Sequence, residues 1–392
     1  MKQLNFLLCL LFIACQSTKG IHRARALQRD GYLKTTATTV QLSRCCTDDS
    51  VKIHYIGCGG YLIRRGDDAV LIDPYFSNAP LSLMQSLRTD SALVATFFYE
   101  NFNNLRDISS KSMKKAQNTE GVSEQIPNEE NVIKATLISH AHHDHLADLP
   151  YIYQHHLSAP QNTMFLGSQT ASNILRAFNT PFDPIHSFFN VDSIFTEKHR
   201  LNDTTPVEWM SNNKNLRITA IESEHAPHFY GVKIPFIGGE VLTVPKQYPR
   251  TTLGFKEGKN YNYLIDFLAK NGDIHFRIYA HGGSASRATI GFLPPSVLSE
   301  KKVDVLILCG ANYDQAVQYP EVLLQHIQPE RVLIGHWEDF FTPISSLLKT
   351  PKTVRLTNIP KLVKIVKTEM LKNNNPTEPM LLQPLTPLIV RF

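Results

Sequence analysis

The chain has 392 residues, of which 42% are hydrophobic and 19% charged, with a formal net charge of +5. That composition belongs to a globular protein long enough for a large core. The charge is too mild for a nucleic-acid partner, no basic stripe with interleaved aromatics accompanies it, and no fixed-period repeat points to a solenoid or propeller.

Lys2 is followed by an apolar run from Leu4 to Ala14, broken only by Asn5. The run is too short to cross a bilayer and has the length of a secretory signal's hydrophobic region. Its end, Phe12-Ile13-Ala14-Cys15, resembles the lipobox of bacterial lipoproteins. That resemblance implies a signal peptide over 1–15, lipidation of Cys15, and an exported protein, periplasmic or on the cell surface, anchored to a bacterial membrane. An ordinary signal peptide cut nearby is the alternative. Residues 16–50 are polar and rich in Thr, Arg and Ser, and read as a tether with some early structure. No Cys-x-x-Cys pair occurs, so a thiolate zinc site has no support. In an exported chain Cys45 or Cys46 could pair with Cys58.

The core begins with three apolar runs, Val51 to Ile56, Tyr61 to Ile63 and Ala69 to Ile72, separated by glycine-containing turns and ending in Asp73-Pro74. On local grounds Asp73 is a turn former before proline. Leu81 to Leu105 then has helical spacing and many aromatics (Phe97, Phe98, Tyr99, Phe102), and the stretch to Asn131 is polar. This reads as an inserted helix and loop at about 80–131. It either forms a lid or substrate wall, or packs its aromatics on the core.

Ala135 to Ile138 reads as a buried strand, and it leads through Ser139 into His140-Ala141-His142-His143-Asp144-His145. A loop can aim such closely spaced side chains at one point, and imidazole plus carboxylate is the ligand set of zinc or a similar divalent ion. Asp148 to His156 reads as a helix, Thr163 to Leu166 as a strand and Ser168 to Phe178 as a helix, so the fold class is α/β with sheets covered by helices. His155 and His156 read as surface or packing residues. Leu216 to Ile221 is a strand leading to His225. Tyr263 to Phe267 and Ile274 to Tyr279 pair around Asn271-Gly272 and end at Ala280-His281. Val303 to Leu308 is a further strand, and Arg331 to Gly335 ends at His336-Trp337. One histidine beyond a strand is more often structural than a ligand, but several on one rim imply a shared task. His228, in His-Ala-Pro-His, is either a surface residue or a substrate contact. Ile344 to Leu348 and Ile359 to Leu371 read as helices packing on the core, followed by a proline-rich end, Pro376 to Pro387.

The spacing His-x-His-x-Asp-His after a strand resembles the metallo-β-lactamase superfamily, and the resemblance extends over most of Val51 to Phe341. It implies a four-layer αββα sandwich of two mixed sheets flanked by helices, spanning 51–392. It also implies one or two Zn2+ ions, with Mn or Fe as alternatives. His140, His142 and His225 match one metal site; Asp144, His145 and His336 match the second; and Asp73 orients the metal loop from behind. One departure stands out. The carboxylate that bridges both ions in the family aligns with Gly282 or its neighbour in Ala280-His281-Gly282-Gly283. Either His281 supplies a ligand instead, or water bridges, or one ion binds weakly.

The implied function is a metal-dependent hydrolase that cleaves an ester, lactone or phosphodiester bond, with Asp144 orienting the attacking water or accepting its proton. Ser139 to Leu146 and Gly335 to Phe340 resemble the lactonase and phospholipase-D-like branches, which implies a small-molecule or lipid-like substrate. The alternative is a non-catalytic, degenerate binding lipoprotein with an incomplete metal site, and Gly282 is its best support. An iron redox enzyme on the same fold resembles a pattern with Glu where His142 stands. No Gly-x-Ser-x-Gly turn or phosphate-cradling glycine loop occurs, so serine-hydrolase and P-loop chemistry fall away.

Overall fold

The computed structural model describes residues 18–43, 49–79, 86–103, 132–157, 162–178, 187–227, 238–282 and 291–392. The expected signal segment with Cys15, then Cys45 and Cys46, His228 and much of the expected 80–131 insertion, lie outside the described residues.

Helix α1 covers 18–29, followed by β1 (Leu33–Lys34), β2 (Thr38–Gln41), β3 (Ser50–Gly57), β4 (Gly60–Arg65) and β5 (Asp68–Ile72). Next come α2 (Ser91–Phe98), β6 (Ile133–Leu137), α3 (His143–Leu146), α4 (Leu149–His155), β7 (Met164–Gly167), α5 (Gln169–Arg176), β8 (Phe188–Asn190) and α6 (Val191–Leu201). The second half holds β9 (Val207–Met210), β10 (Leu216–Ser223), β11 (Asn260–Leu268), β12 (Ile274–Ala280), α7 (Pro295–Glu300), β13 (Val305–Cys309), α8 (Glu321–Ile327) and β14 (Arg331–Gly335). The chain closes with α9 (Ile344–Lys349), α10 (Ile359–Lys372), β15 (Leu381–Leu382) and β16 (Pro387–Arg391).

Two mixed sheets result. One has eight strands in the order β2-β16-β3-β4-β5-β6-β7-β8, and the other has six, in the order β14-β13-β12-β11-β10-β9. The first is antiparallel around β3, β4 and β5 and parallel from β5 to β8. The second is antiparallel from β9 to β12 and parallel from β12 to β14.

Side chains alternate across each strand, and this alternation assigns the layers. Val51, Ile53 and Tyr55 of β3, Tyr61 and Ile63 of β4, and Val70 and Ile72 of β5 share one apolar cluster with Leu216, Ile218 and Ala220 of β10. The two sheets therefore pack face to face. Their intervening neighbours Ile56, Leu62, Ala69 and Leu71 belong to a second cluster with α2, α4 and α5. Because both faces of the central strands are covered, these strands read as continuous apolar runs. Val297 of α7, Leu323 and Leu324 of α8, and Leu362, Val363 and Val366 of α10 join the first cluster and complete the fourth layer. The fold is the αββα sandwich.

One expectation changes, and two open points are decided. Residues 18–43, read as part of a tether, are folded into the domain: Ala24 and Leu27 of α1 are buried in the first core, and β2 pairs with β16. An apolar pattern only two residues deep left that segment without a strong sequence signal. The proline-rich end, for which the sequence offered no element, supplies two strands. β16 inserts between β2 and β3, and β15 pairs with β1, so the C-terminal segment is part of the framework. The aromatics of α2 pack on the core, not over an opening. Phe97 and Phe98 are buried, with the Phe97 ring 5.1 Å from Phe76 and the Phe98 ring stacked 5.0 Å from His156.

Candidate metal centre

The histidines and the carboxylate arrive from strand ends. His140 to His145 follow β6, His225 follows β10, and His336 follows β14. The loop after β6 is fixed by its backbone: Tyr261 N donates to Ser139 O at 2.9 Å, Ala141 N to Glu257 O at 2.8 Å, and Tyr263 Oη to Ile138 O at 2.9 Å. β11 thus ties the metal loop of one sheet to the other.

Six of the predicted side chains form two groups. In the first, His140, His142 and His225 offer ligand atoms that all lie within 4.8 Å of one another, and Asp144, His145 and His336 do the same in the second. In the second group Asp144 Oδ2 lies 3.4 Å from His336 Nε2 and 3.7 Å from His145 Nε2. The groups abut, because the rings of His140 and His145 are 4.0 Å apart between centroids. His140 and His145 are 1% exposed, so both are withdrawn from bulk water.

Hydrogen bonds at Nδ1 orient three of the rings. His225 Nδ1 lies 2.6 Å from Ala226 O, an acceptor that requires the proton on Nδ1 and leaves Nε2 for an ion. His145 Nδ1 lies 3.0 Å from Asp73 Oδ2. Ser139 Oγ donates to Asp73 Oδ2 at 2.6 Å and lies 3.1 Å from His140 Nδ1 and 3.5 Å from His145 Nδ1. Asp73 is itself fully buried and accepts Ser139 N at 2.8 Å. One carboxylate and one hydroxyl therefore back a ring from each group. This is the arrangement that orients histidine ligands in metal sites.

The electrostatics match. Burial, reinforced by the neighbouring imidazoles, holds His140 well below the usual histidine pKa. Burial pulls His145 the same way, but the Asp73 and Asp144 carboxylates overcome it and raise the group. Burial opposes ionisation of Asp144, and His145, His143 and His336 reverse that and hold the carboxyl well below its usual range. The ionised Asp144 carboxylate and the neutral His140 imidazole are the forms that bind a metal, whereas His145 gives up a proton when an ion binds.

The residues fit a divalent ion on a further observation. His140 Nε2 is buried with no hydrogen-bond partner among the described residues, although burying such an atom unpaired costs about 1–3 kcal/mol. A metal satisfies it. Three imidazoles in one group, and two imidazoles with a carboxylate in the other, suit zinc and similar ions.

His281 stands outside both groups. Its Nδ1 lies 3.2 Å from Asn262 Nδ2, its ring packs edge-on to Tyr279 at 4.6 Å, and burial lowers its pKa to about 3. It joins neither three-donor group, and its Nε2 is buried without a hydrogen-bond partner among the described residues. Gly282 shows why no bridging carboxylate stands at its own position. A Cβ on Gly282 would lie 2.0 Å from Ser139 Cβ and 2.2 Å from Ser139 Oγ, so the Ser139 side chain fills the space. Cys58 is a buried free thiol, 3.1 Å from Asn78 Oδ1, so it forms no disulfide.

Two positioning groups escaped the sequence reading. Tyr55 Oη accepts His336 N at 2.9 Å and donates to Glu338, whose other oxygen accepts Cys58 N at 2.6 Å. Asp148 is 1% exposed and accepts Phe76 N and Ser77 N at 2.8 and 3.0 Å, which binds the segment after Asp73 to the end of the metal loop. Nothing local marks either one, since their partners are far away in sequence.

No protein-family model and no curated protein matches the chain. Among solved structures, it is similar to Igni18, a metallo hydrolase from the archaeon Ignicoccus hospitalis, at 13% identity and TM-score 0.46, over 88% of this chain and 99% of that one. It is also similar to the metallo-β-lactamase fold protein YhfI from Bacillus subtilis, at 13% identity and TM-score 0.42, over 86% and 99%. An isothiocyanate hydrolase from Delia radicum gut bacteria matches at 11% identity and TM-score 0.42, over 86% and 98%. Likenesses this distant assign no activity, and the fold rests on the sheet order and layer packing. The architecture is one αββα sandwich with two abutting three-donor groups, three histidines in one and two histidines with a carboxylate in the other, at its strand ends.

Proposed function

We propose that this protein is a metal-dependent hydrolase that cleaves an ester, lactone or phosphodiester bond with an activated water, and that zinc is its ion. The observation that carries the reading is the pair of abutting three-donor groups, with rings held at Nδ1 so that Nε2 is left to coordinate. Ions bound there would supply Lewis acidity and lower the pKa of a coordinated water to about 7.

The chain's own residues do the rest. His225 is fixed by Ala226 O and His145 by Asp73, so neither ring has to reorganise. Ser139 links the two groups from behind. Asp144, the one carboxylate among the six donors, is ionised and buried, so it can orient the nucleophile or receive its proton in a site of low dielectric. Six donors of the right types, with three of the rings held at Nδ1, support an enzyme over a degenerate binding protein. Likeness of Ser139 to Leu146 and of Gly335 to Phe340 to the lactonase and phospholipase-D-like branches supports lactones and phosphodiesters as the substrates to try first.

The test is elemental analysis of protein stripped and reloaded with Zn2+, paired with a hydrolysis panel of lactones, phosphodiesters and β-lactams. About two equivalents of metal are expected, together with turnover that His142→Ala reduces by at least about 100-fold. Reloaded protein that retains no metal would sink the reading.

A further inference from the structure

A cavity of about 700 Å3 opens where the metal loop ends. Ala147 and Asp148, which directly follow α3, form one wall, and Tyr75 forms another. The Tyr75 ring meets the His143 ring at 5.9 Å, so one residue's thickness separates the cavity from the ligand-bearing helix. Three cations line it: Arg88, Lys246 and Arg250. All three are exposed, and among the described residues none makes an ion pair.

The cavity's one carboxylate does not neutralise them. Asp148 is 1% exposed and turned to Phe76 N, Ser77 N and Ser77 Oγ. Three like charges facing one compartment repel each other, and an anion relieves that repulsion. The frame is built, not incidental. Leu87 N donates to Arg250 O at 2.7 Å, which holds the two arginine-bearing segments side by side. Tyr248 Oη donates to Ala147 O at 3.2 Å, and Phe178 packs edge-on to Tyr248 at 5.1 Å. Tyr75, Tyr248 and Phe178 therefore give the cavity an aromatic lining beside its charge.

We propose that this cavity binds an organic phosphate, with the phosphate among Arg88, Lys246 and Arg250 and the organic part against the aromatic lining. Forked guanidinium donors match the oxygens of a phosphate, and the volume falls within the range of small-molecule sites. As a binding site it stands independently. As a subsite that selects anionic substrates for the metal centre, it rests on the hydrolase reading and narrows it towards phosphorylated compounds.

Isothermal titration of the full-length, metal-loaded protein with hexyl phosphate tests it, with inorganic phosphate and hexanol as comparisons. Hexyl phosphate is expected to bind more tightly than either. Arg88→Gln with Arg250→Gln is expected to weaken it by at least about 10-fold, and Lys246→Gln alone, on an exposed side chain, several-fold. The double variant His140→Ala with His336→Ala is expected to keep the affinity within about twofold. Unchanged binding in the arginine variant, or loss of binding in the histidine variant, would overturn the proposal by moving the ligand to the metals. Inorganic phosphate binding as tightly as hexyl phosphate would overturn the assignment to an organic ligand. Absence of all turnover with this binding pattern intact would remove the hydrolase reading and leave the anion site standing.

Discussion

Gly282 is the residue at which the resemblance and the chain part company. A carboxylate there would have to displace Ser139, whose hydroxyl touches Asp73 and lies beside His140 and His145. The glycine is therefore matched to a serine that backs both groups from outside. Gly282→Asp is expected to damage the centre instead of restoring a bridge. Overpacking of this kind costs about 1–3 kcal/mol, and the added carboxylate should lower both the melting temperature and the metal content. Adding Ser139→Gly should recover part of the stability, because it clears the 2.0 Å clash. A Gly282→Asp protein with native melting temperature and native metal content would contradict this packing account. The loss of the bridging carboxylate was legible in the sequence, but its replacement was not. A glycine's neighbours across 143 residues of chain appear only once the strands are in place.

At the level of elements, the centre depends on a clamp between the β3–β4 turn and the end of β14. His336 has φ +49° and Cys58 φ +50°, both left-handed positions that cost a non-glycine residue about 1–2 kcal/mol. Gly59, at φ +80°, passes close enough that a Cβ there would lie 3.7 Å from both His145 Cε1 and His336 Cδ2. Glu338 holds this arrangement by accepting Cys58 N and Tyr55 Oη while Tyr55 accepts His336 N. It is fully buried, so it has no water to replace a lost bond. Glu338→Gln is expected to destabilise the protein by about 1–3 kcal/mol and to lower the affinity of the Asp144–His145–His336 group for Zn2+ by at least about 10-fold, leaving the His140–His142–His225 group near its native affinity. Stepwise titration with Co2+, read by its visible absorption, separates the two groups. Equal weakening of both steps would mean that Glu338 acts through global stability and not through His336.

On the scale of the whole molecule, the sandwich is closed by its own ends. α1 contributes to the first core, and β16 lies between β2 and β3 in the larger sheet. The enclosure also buries a histidine outside the two donor groups. His54 is 5% exposed, and neither ring nitrogen has a hydrogen-bond partner among the described residues. Burial, together with Lys52 and Arg64, lowers its pKa to about 3. In the unfolded chain the group takes up its proton near pH 6.5, so the unfolded state binds more protons between those values. The stability due to neutral His54 is therefore complete above about pH 6.5 and falls as pH drops towards 3, by about 1 kcal/mol per pH unit. His54→Leu should flatten the decline in melting temperature between pH 6.5 and pH 4 relative to the parent. Parallel curves would show that His54 is solvated in the folded state.

Strands β3 to β7 and β10 to β14, and the histidines and carboxylate just past β6, β10 and β14, were readable from the sequence, whereas β8, β9, α6, α7 and α8 were not read. Apolar runs both faces deep and histidines just past strand ends are local signals that survive without knowledge of partners. The placement of His281, the filled space beside Gly282, the Tyr55–Glu338 clamp and the use of both chain ends in the framework were decided by tertiary structure alone. Each depends on which atoms meet across the two sheets, and a side chain's neighbours there are set by register and packing over hundreds of residues. The candidate donors are written in the chain; the geometry that gathers them into two groups exists only in the fold.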